Sequence, residues 1–312
     1  MNIGIDVGGT NLKAGLAAED GRILAAVRQP LDFQGPERFA RTLAELARRT
    51  AEEAGVSLGD IRSVGIGIPG AVSGGEILYT TNIPMEHVNL ESLFRRHLDL
   101  PVLLGNDADC AAVGEFFRGA GRGTRNFIVV TLGTGIGSGL ILGGRLYTGM
   151  GAAGEAGHLV IRENGAPCPC GRRGCWERYG SATALIAQTR EAMKAHPQSL
   201  LHTAAEENGG VDGRTAFQAA LWGDEAAKAV CGRYVSYLAE GITNLVNLLQ
   251  PEKLALGGGV SGAPDSLLLR PLRRLVAENC FGRRGNMYPQ IVRAELGNDA
   301  GIIGAALLHR AV

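Results

Sequence analysis

The pattern that most restricts the fold is written twice. Residues 2–7 form a short apolar run that enters Asp6-Val7-Gly8-Gly9-Thr10-Asn11-Leu12-Lys13, and the runs 14–18 and 23–27 follow, joined at Asp20-Gly21. Asp-Gly is a preferred hairpin turn, so three antiparallel strands are expected. The order restarts at residues 126–131, passes Gly133-Thr134-Gly135-Ile136-Gly137, continues through 138–142 and turns at Gly143-Gly144 into Leu146-Tyr147. Strand, Gly-rich turn, strand, tight turn and strand, repeated, predict two related halves with a cleft between them. The repeat is one of shape, because Thr131 stands where Asp6 stands in the first half.

The intervening segments build α/β layers. Residues 36–53 carry a helical apolar stripe of Phe39, Leu43, Leu46 and Ala47, with Glu37/Arg41 and Glu45/Arg49 spaced for i,i+4 pairing. A strand at 63–68, a helix at 90–97 and a strand at 102–104 complete a mixed sheet with helices against it. Farther on, helices are expected at 181–195, 215–221, 267–278 and 300–309, and strands at 254–256 and 291–294. Residues 201–213 read as a loop or frayed helix, and Asp224 as the cap of a long helix reaching 249. A chain of 312 residues exceeds one ordinary core. The expected domains are 1–115, completed by a returning C-terminal helix at 300–312, and a larger one at 116–299.

Residues 155–177 cannot be shaped by an ordinary apolar core. Glu155-Ala-Gly-His158 precedes Cys168-Pro-Cys170-Gly-Arg-Arg-Gly-Cys175-Trp-Glu177, a loop dense in Gly and Pro. Three thiols at this spacing with a His ten residues upstream are the ligand set of a closed structural Zn²⁺ site, whose binding energy is folding energy. The alternatives are buried or redox-active cysteines, or another metal. Folding on the metal brings Glu155 and Glu177 together as a grip for a polyol. Cys110, Cys231 and Cys280 lie among apolar or helical neighbours and read as core thiols.

Glycines where strands end let backbone amides approach an anion. Gly8-Gly9-Thr10, Gly133-Thr134-Gly135-Ile136-Gly137 and Gly257-Gly258-Gly259 each follow an apolar run, which suits a triphosphate, although each alone is also an ordinary tight turn. No P-loop pattern is present. Asp6, at a strand tip, reads as a Mg²⁺ ligand, directly or through water, or as an Asx turn. Lys13 is a phosphate contact or an edge charge. In Gly105-Asn106-Asp107-Ala108-Asp109, Asp107 is the candidate general base for phosphoryl transfer to a hydroxyl, or a helix N-terminal acid.

These motifs together are similar to the bacterial ROK sugar kinases of the actin, Hsp70 and hexokinase superfamily. The resemblance covers nearly the whole chain: Asp6-Val-Gly-Gly-Thr10, Gly65-Ile-Gly-Ile-Pro-Gly70, Asn106-Asp-Ala108, Leu132-Gly-Thr-Gly-Ile-Gly137, Glu155-Ala-Gly-His158, the Cys168 to Glu177 loop, Gly257-Gly-Gly259 and Leu296-Gly-Asn-Asp-Ala-Gly301. It implies an actin-like, ribonuclease H-like ATPase fold of two domains with duplicated mixed sheets. It implies further that Asp6 and Gly8, Gly9 and Thr10 handle metal and phosphate, that Gly133, Thr134, Gly135 and Gly137 take the phosphates of ATP, and that Gly257, Gly258 and Gly259 border the nucleoside. Asp107 becomes the base at the sugar 6-hydroxyl, and Asn82, Asn106, Glu155, His158 and Glu177 hold the hexose, with Gly70 nearby.

In pattern the chain is nearest the family's glucokinases, so glucose 6-phosphate is the expected product. Asn82-Ile-Pro-Met-Glu-His87 lacks the aromatic that often follows that Asn, which leaves N-acetylmannosamine, N-acetylglucosamine, allose and fructose as alternatives. Family members commonly form homodimers, and a tetramer is also compatible. Some are sugar-responsive repressors with a helix-turn-helix ahead of the kinase-like part; here the first strand begins at residue 2, and an enzyme is expected. Arg+Lys and Asp+Glu balance at 31 each, so there is no basic excess for nucleic acid. Lysine occurs only at 13, 194, 228 and 253, an Arg bias that reads as genome composition. No apolar run reaches the roughly 18 residues of a membrane helix, and no basic leader precedes the first strand. A cytoplasmic protein is expected.

Overall fold

The computed structural model describes residues 1–80 and 83–311. Strands β1 (Asn2–Val7), β2 (Asn11–Ala17) and β3 (Ile23–Pro30) are followed by helix α1 (Pro36–Glu53) and strand β4 (Ser63–Ile68). Strands β5 (Gly70–Ser73), β6 (Glu76–Thr80) and β7 (Glu86–Asn89) lead to helix α2 (Leu90–Arg95), strand β8 (Val102–Asn106) and helix α3 (Asp107–Arg118). Strands β9 (Phe127–Leu132), β10 (Ile136–Leu142) and β11 (Arg145–Leu146) precede helices α4 (Glu177–Gly180), α5 (Ala182–Ala195), α6 (Leu201–Glu207), α7 (Thr215–Leu221) and α8 (Glu225–Leu249). Strand β12 (Lys253–Gly257), helix α9 (Leu269–Asn279), strand β13 (Gln290–Arg293) and helix α10 (Ala300–Leu307) complete the chain.

Two five-stranded sheets share one topology. Their orders are β3-β2-β1-β4-β8 and β11-β10-β9-β12-β13, and in each an antiparallel hairpin edge joins a parallel edge. The duplication expected from the strand and glycine pattern is therefore present, as an α/β fold with two mixed sheets of the actin, hexokinase and ROK ATPase type. A third sheet, β5-β6-β7, was not expected.

The chain divides into two compact units. The first comprises residues 1–129, 139–154 and 295–312, and the second 130–138 and 155–294. In the first, β1 and β4 are almost wholly buried, which central parallel strands require. Pro36 starts α1, and Phe39, Leu43, Leu46 and Ala47 are all buried. The expected i,i+4 pairs on its polar face give way to contacts with other elements: Glu37 meets Arg96 at 3.4 Å and His97 at 3.2 Å, and Arg49 donates to Gln29 at 2.6 Å.

Helix α10 packs on β1, β4 and α3 within this first unit. Its approach depends on missing side chains, since a Cβ on Gly65 would overlap the Ala305 carbonyl and one on Gly304 the Cys110 carbonyl. Glu115, fully buried on α3, holds the segment entering α10: its carboxylate accepts from the N–H groups of Ala120 at 2.8 Å, Glu295 at 3.0 Å and Leu296 at 2.7 Å. Glu115→Gln presents an amide N–H₂ where one of these donors needs an acceptor, and is expected to destabilise the protein by about 1–3 kcal/mol. An unchanged urea midpoint would contradict this account.

In the second unit, Asp224 caps α8 as expected by accepting from Ala227 N–H at 2.7 Å, and it also accepts from Leu200 N–H at 2.8 Å. That second bond ties down the start of α6, an ordered helix where a loop or frayed segment was expected. Cys110, Cys231 and Cys280 are buried free thiols. Among the described residues no helix is long and apolar enough to cross a membrane.

Candidate functional site

In the first unit, parallel pairing of β1 with β4 and of β4 with β8 brings three strand ends to one sheet edge. Asp6 is the penultimate residue of β1, Gly70 follows β4, and Asn106 and Asp107 stand where β8 becomes α3. Asp6 and Asp107 are thus separated by two strand spacings of roughly 4.8 Å each. Burial pushes the Asp6 carboxyl above the usual aspartate range, Lys13 pulls it back, and the charge of Asp107 adds to the rise. Lys13 lies directly opposite Asp6 in the β1–β2 ladder. Its charge therefore faces the acid, whether or not a phosphate joins them. Gly301, far away in sequence, opens the space in front of Asp6: a Cβ there would sit 3.1 Å from the Asp6 carboxyl carbon.

Asn106 rather than Asp107 caps α3. Its side-chain oxygen accepts from Ala108 N–H at 2.8 Å and Asp109 N–H at 3.3 Å, while its amide nitrogen donates to the Gly70 carbonyl at 3.0 Å. The Asn106 side chain is held at both ends and, against the rise that burial causes, its amide also lowers the pKa of the adjacent Asp107 carboxyl. Asp107 accepts from Ala108 N–H at 2.9 Å. Burial raises its pKa and outweighs that hydrogen bond. A carboxylate held ready to take a proton has these properties. In the neighbouring turn, the Gly8 N–H donates to the Asn11 carbonyl at 2.9 Å and closes the bend. Asn82 lies outside the described residues.

In the second unit, residues 155–177 converge as expected. The ligand atoms of His158, Cys168, Cys170 and Cys175 lie within 4.8 Å of one another, a cluster able to hold a metal ion. Cys168 Sγ is 3.6 Å from His158 Nδ1, and Cys170 Sγ is 3.6 Å from Cys175 Sγ. Because Nδ1 faces the sulfurs, Nε2 lies on the opposite side of the ring. Glu177 is 3.1 Å from the Cys168 sulfur and 3.9 Å from His158 Nδ1. Its other oxygen would be 2.6 Å from a Cβ on Gly135, so the knot and the Gly133 turn are packed together through this carboxylate. Glu155 immediately precedes the turn 156–158, and its carbonyl accepts from His158 N–H at 3.0 Å.

Trp176 was missed by sequence reasoning. It is fully buried, its indole N–H donates to the Tyr237 carbonyl at 2.8 Å, and its ring occupies the space left by Gly241 on α8. Tyr179 likewise accepts from Ala166 N–H at 2.7 Å. The loop is therefore anchored by apolar burial at its C-terminal end, contrary to expectation; a lone Trp beside the last Cys was the available signal. Of the expected phosphate turn, Gly133, Thr134 and Gly135 form the bend, closed by Gly133 N–H on the Gly135 carbonyl at 3.1 Å, and Gly137 already belongs to β10. Gly257 ends β12, Gly258 takes a positive φ of 80° against the Leu132 carbonyl, where a Cβ would not fit, and Gly259 begins the next turn.

The chain is similar along its whole length to known sugar kinases. It is 36% identical to a glucokinase of Halalkalibacterium halodurans, covering 98% of this chain and 94% of that protein. It is 38% identical to a glucokinase of Thermotoga maritima, covering 97% and 95% respectively. Among solved structures, a ROK family glucokinase from Streptomyces griseus in complex with glucose and AMPPNP superposes with a TM-score of 0.82 at 34% identity, covering 98% of each chain. The ROK family model matches residues 2–312, and the chain belongs to the ROK family.

Proposed function

We propose that this protein is a glucokinase, transferring the γ-phosphoryl group of ATP to the 6-hydroxyl of glucose to give glucose 6-phosphate and ADP. The observation that carries the reading is full-length similarity to glucokinases at 36% and 38% identity, joined to an Asp107 at the head of α3 that is open to solvent yet desolvated enough to have a raised pKa. Asp107 orients O6 and accepts its proton as the phosphoryl group is transferred. Gly70, Asn82, Asn106, Glu155, His158 and Glu177 hold the sugar hydroxyls, and His158 offers Nε2. Gly9 and Thr10, with Lys13, serve the phosphates, as do Gly133, Thr134, Gly135 and Gly137, while Gly257, Gly258 and Gly259 adjoin the nucleoside. Mg²⁺ carried with ATP neutralises phosphate charge, and Asp6 is its protein ligand, directly or through water.

The His/Cys cluster fits Zn²⁺. Tetrahedral zinc with Zn–S bonds of about 2.3 Å separates its sulfurs by roughly 3.8 Å, close to the 3.6 Å between Cys170 and Cys175. Burial pushes the Cys168 thiol up to about 12 and lifts Cys175, whereas the Arg172 N–H lowers Cys170, so a set of three thiolates calls for a cation. Zinc there shapes the loop that presents His158 and Glu177 and takes no part in the transfer. We assign the sheet pair to the ribonuclease H-like class, and propose a cytoplasmic homodimer, with free cysteines and balanced charge in keeping with a reducing compartment and no nucleic-acid partner.

Glucose is favoured over the other hexoses because the full-length relatives at 36% and 38% identity are glucokinases; Ile83 and Met85, in the segment that lacks the frequent aromatic, are each 3% exposed and belong to the core. The test is ADP release on glucose, mannose, fructose, N-acetylglucosamine, N-acetylmannosamine and allose. The expected kcat/KM for glucose exceeds the others by about tenfold or more. Preference for an N-acetyl sugar would reassign the substrate, and sugar binding with no transfer would make the chain a non-catalytic regulator.

A further inference from the structure

The second unit carries a groove of about 520 Å³ between α4, α5 and α8 that none of the roles above uses. Its rim is cationic. Arg178 comes from α4, Arg190 and Lys194 from successive turns of α5, and Arg233 from α8, against the single carboxylate of Glu191. In a chain whose Lys+Arg and Asp+Glu balance at 31 each, this concentration is local. Lys194 is moreover one of few lysines among many arginines. Some cations of the same unit are paired with neighbours, as Lys228 is with Glu225 at 2.7 Å and Arg214 with Asp212 at 2.7 Å. Among the described residues, none of the four groove cations has a carboxylate oxygen within 4.0 Å.

The wall below the rim is built and carries an unmet need. Tyr179 and Tyr237 pack with ring centroids 5.0 Å apart, and Arg162 covers Tyr237 at 5.5 Å. Gln188 lines the groove with its amide nitrogen committed to the Tyr179 carbonyl at 2.9 Å. Its side-chain oxygen is buried with no hydrogen-bond partner. Four unpaired cations ask for more than one anionic group, and guanidinium and ammonium donors suit phosphate. The volume lies in the range of small-molecule sites.

We propose that this groove is a second ligand site that takes a small molecule carrying at least two separated phosphate groups, held on Arg178, Arg190, Lys194 and Arg233. Binding is read by calorimetry on the zinc-loaded protein with glucose and a non-hydrolysable ATP analogue saturating, in about 150 mM salt. The probes are glucose 1,6-bisphosphate, glucose 6-phosphate and inorganic pyrophosphate. The bisphosphate is expected to bind with a Kd below about 1 mM, more tightly than either other probe. Arg190→Glu/Lys194→Glu, and separately Arg233→Gln, are expected to weaken it, the double variant by about tenfold or more, with kcat and KM for glucose and ATP unchanged in the absence of probe. No binding of the bisphosphate to the native protein, or binding that survives both variants, overturns the site. Pyrophosphate bound as tightly as the bisphosphate overturns the assignment of two separated phosphates.

Discussion

Asp107→Asn is expected to lower kcat for glucose phosphorylation roughly a thousandfold with little change in KM and no loss of thermal stability. The asparagine oxygen can keep the hydrogen bond from Ala108 N–H, and Asn106 continues to cap α3, so the helix start survives. What disappears is the group that accepts the hydroxyl proton. The stability expectation follows from the direction of the pKa shift. Burial raises Asp107 above its unfolded value, so the fold favours the neutral carboxyl. That preference contributes stability fully below the ordinary aspartate range and is lost as pH rises through the raised folded value. At neutral pH the native enzyme therefore carries a partly desolvated charge that Asn removes, and the variant's melting temperature should equal or exceed the native one. The native pH–rate profile should fall on its acid side through a pKa above that of an exposed aspartate, and this limb should vanish from the residual activity of the variant. Retained kcat would remove Asp107 from the role of base. A sharply lowered melting temperature would instead make it chiefly a structural acid of α3.

Much of this site was legible because its chemistry sits at strand ends and in one short loop. Asp6 and Asp107 could be placed because parallel strands terminate at a common edge. His158, Cys168, Cys170 and Cys175 could be grouped because their spacing has few uses other than a metal. Long-range contacts were not legible. Gly301 opens the space before Asp6 from the far end of the chain, and Glu115 meets Glu295 and Leu296, with nothing local to pair them. The polar faces of α1 illustrate the same limit, since Glu37 had an eligible i,i+4 partner yet meets Arg96 and His97 on another segment. The small sheet β5-β6-β7 was overlooked although Gly74 and Gly75, both with positive φ, make a Gly-Gly hairpin turn. Its strands are short and its outer strand β7 is polar, so periodicity gave little signal.

Removing the metal is expected to separate the two supports of the loop at 155–177. Trp176 is locked under α8 and Tyr179 holds Ala166, so these anchors remain when a strong chelator strips Zn²⁺. Residues between them and His158 lose their common centre. Cys170 and its neighbours from 171 to 173 are exposed, restrained by the short bridges Val160–Cys175 and Pro167–Arg173 and by Arg172, whose carbonyl accepts from Cys168 N–H at 2.8 Å and whose guanidinium donates to the His158 carbonyl at 3.3 Å. The metal-free protein should thus keep its sheets and most of its far-ultraviolet circular dichroism, yet become cleavable by trypsin after Arg172 or Arg173. Because His158 and Glu177 are oriented by the same knot, KM for glucose should rise by about tenfold or more, while KM for ATP moves less. Cys175→Ser should reproduce both effects and lower bound zinc from one ion per chain. The sulfur is fully buried beside Trp176, so this variant should be less stable than Cys170→Ser at the exposed ligand. Restoring zinc to the chelated native protein should recover both protease resistance and glucose affinity. Native KM and protease resistance in protein shown to be free of metal would mean that Trp176 and Tyr179 suffice to shape the loop, and would overturn the structural role assigned to zinc.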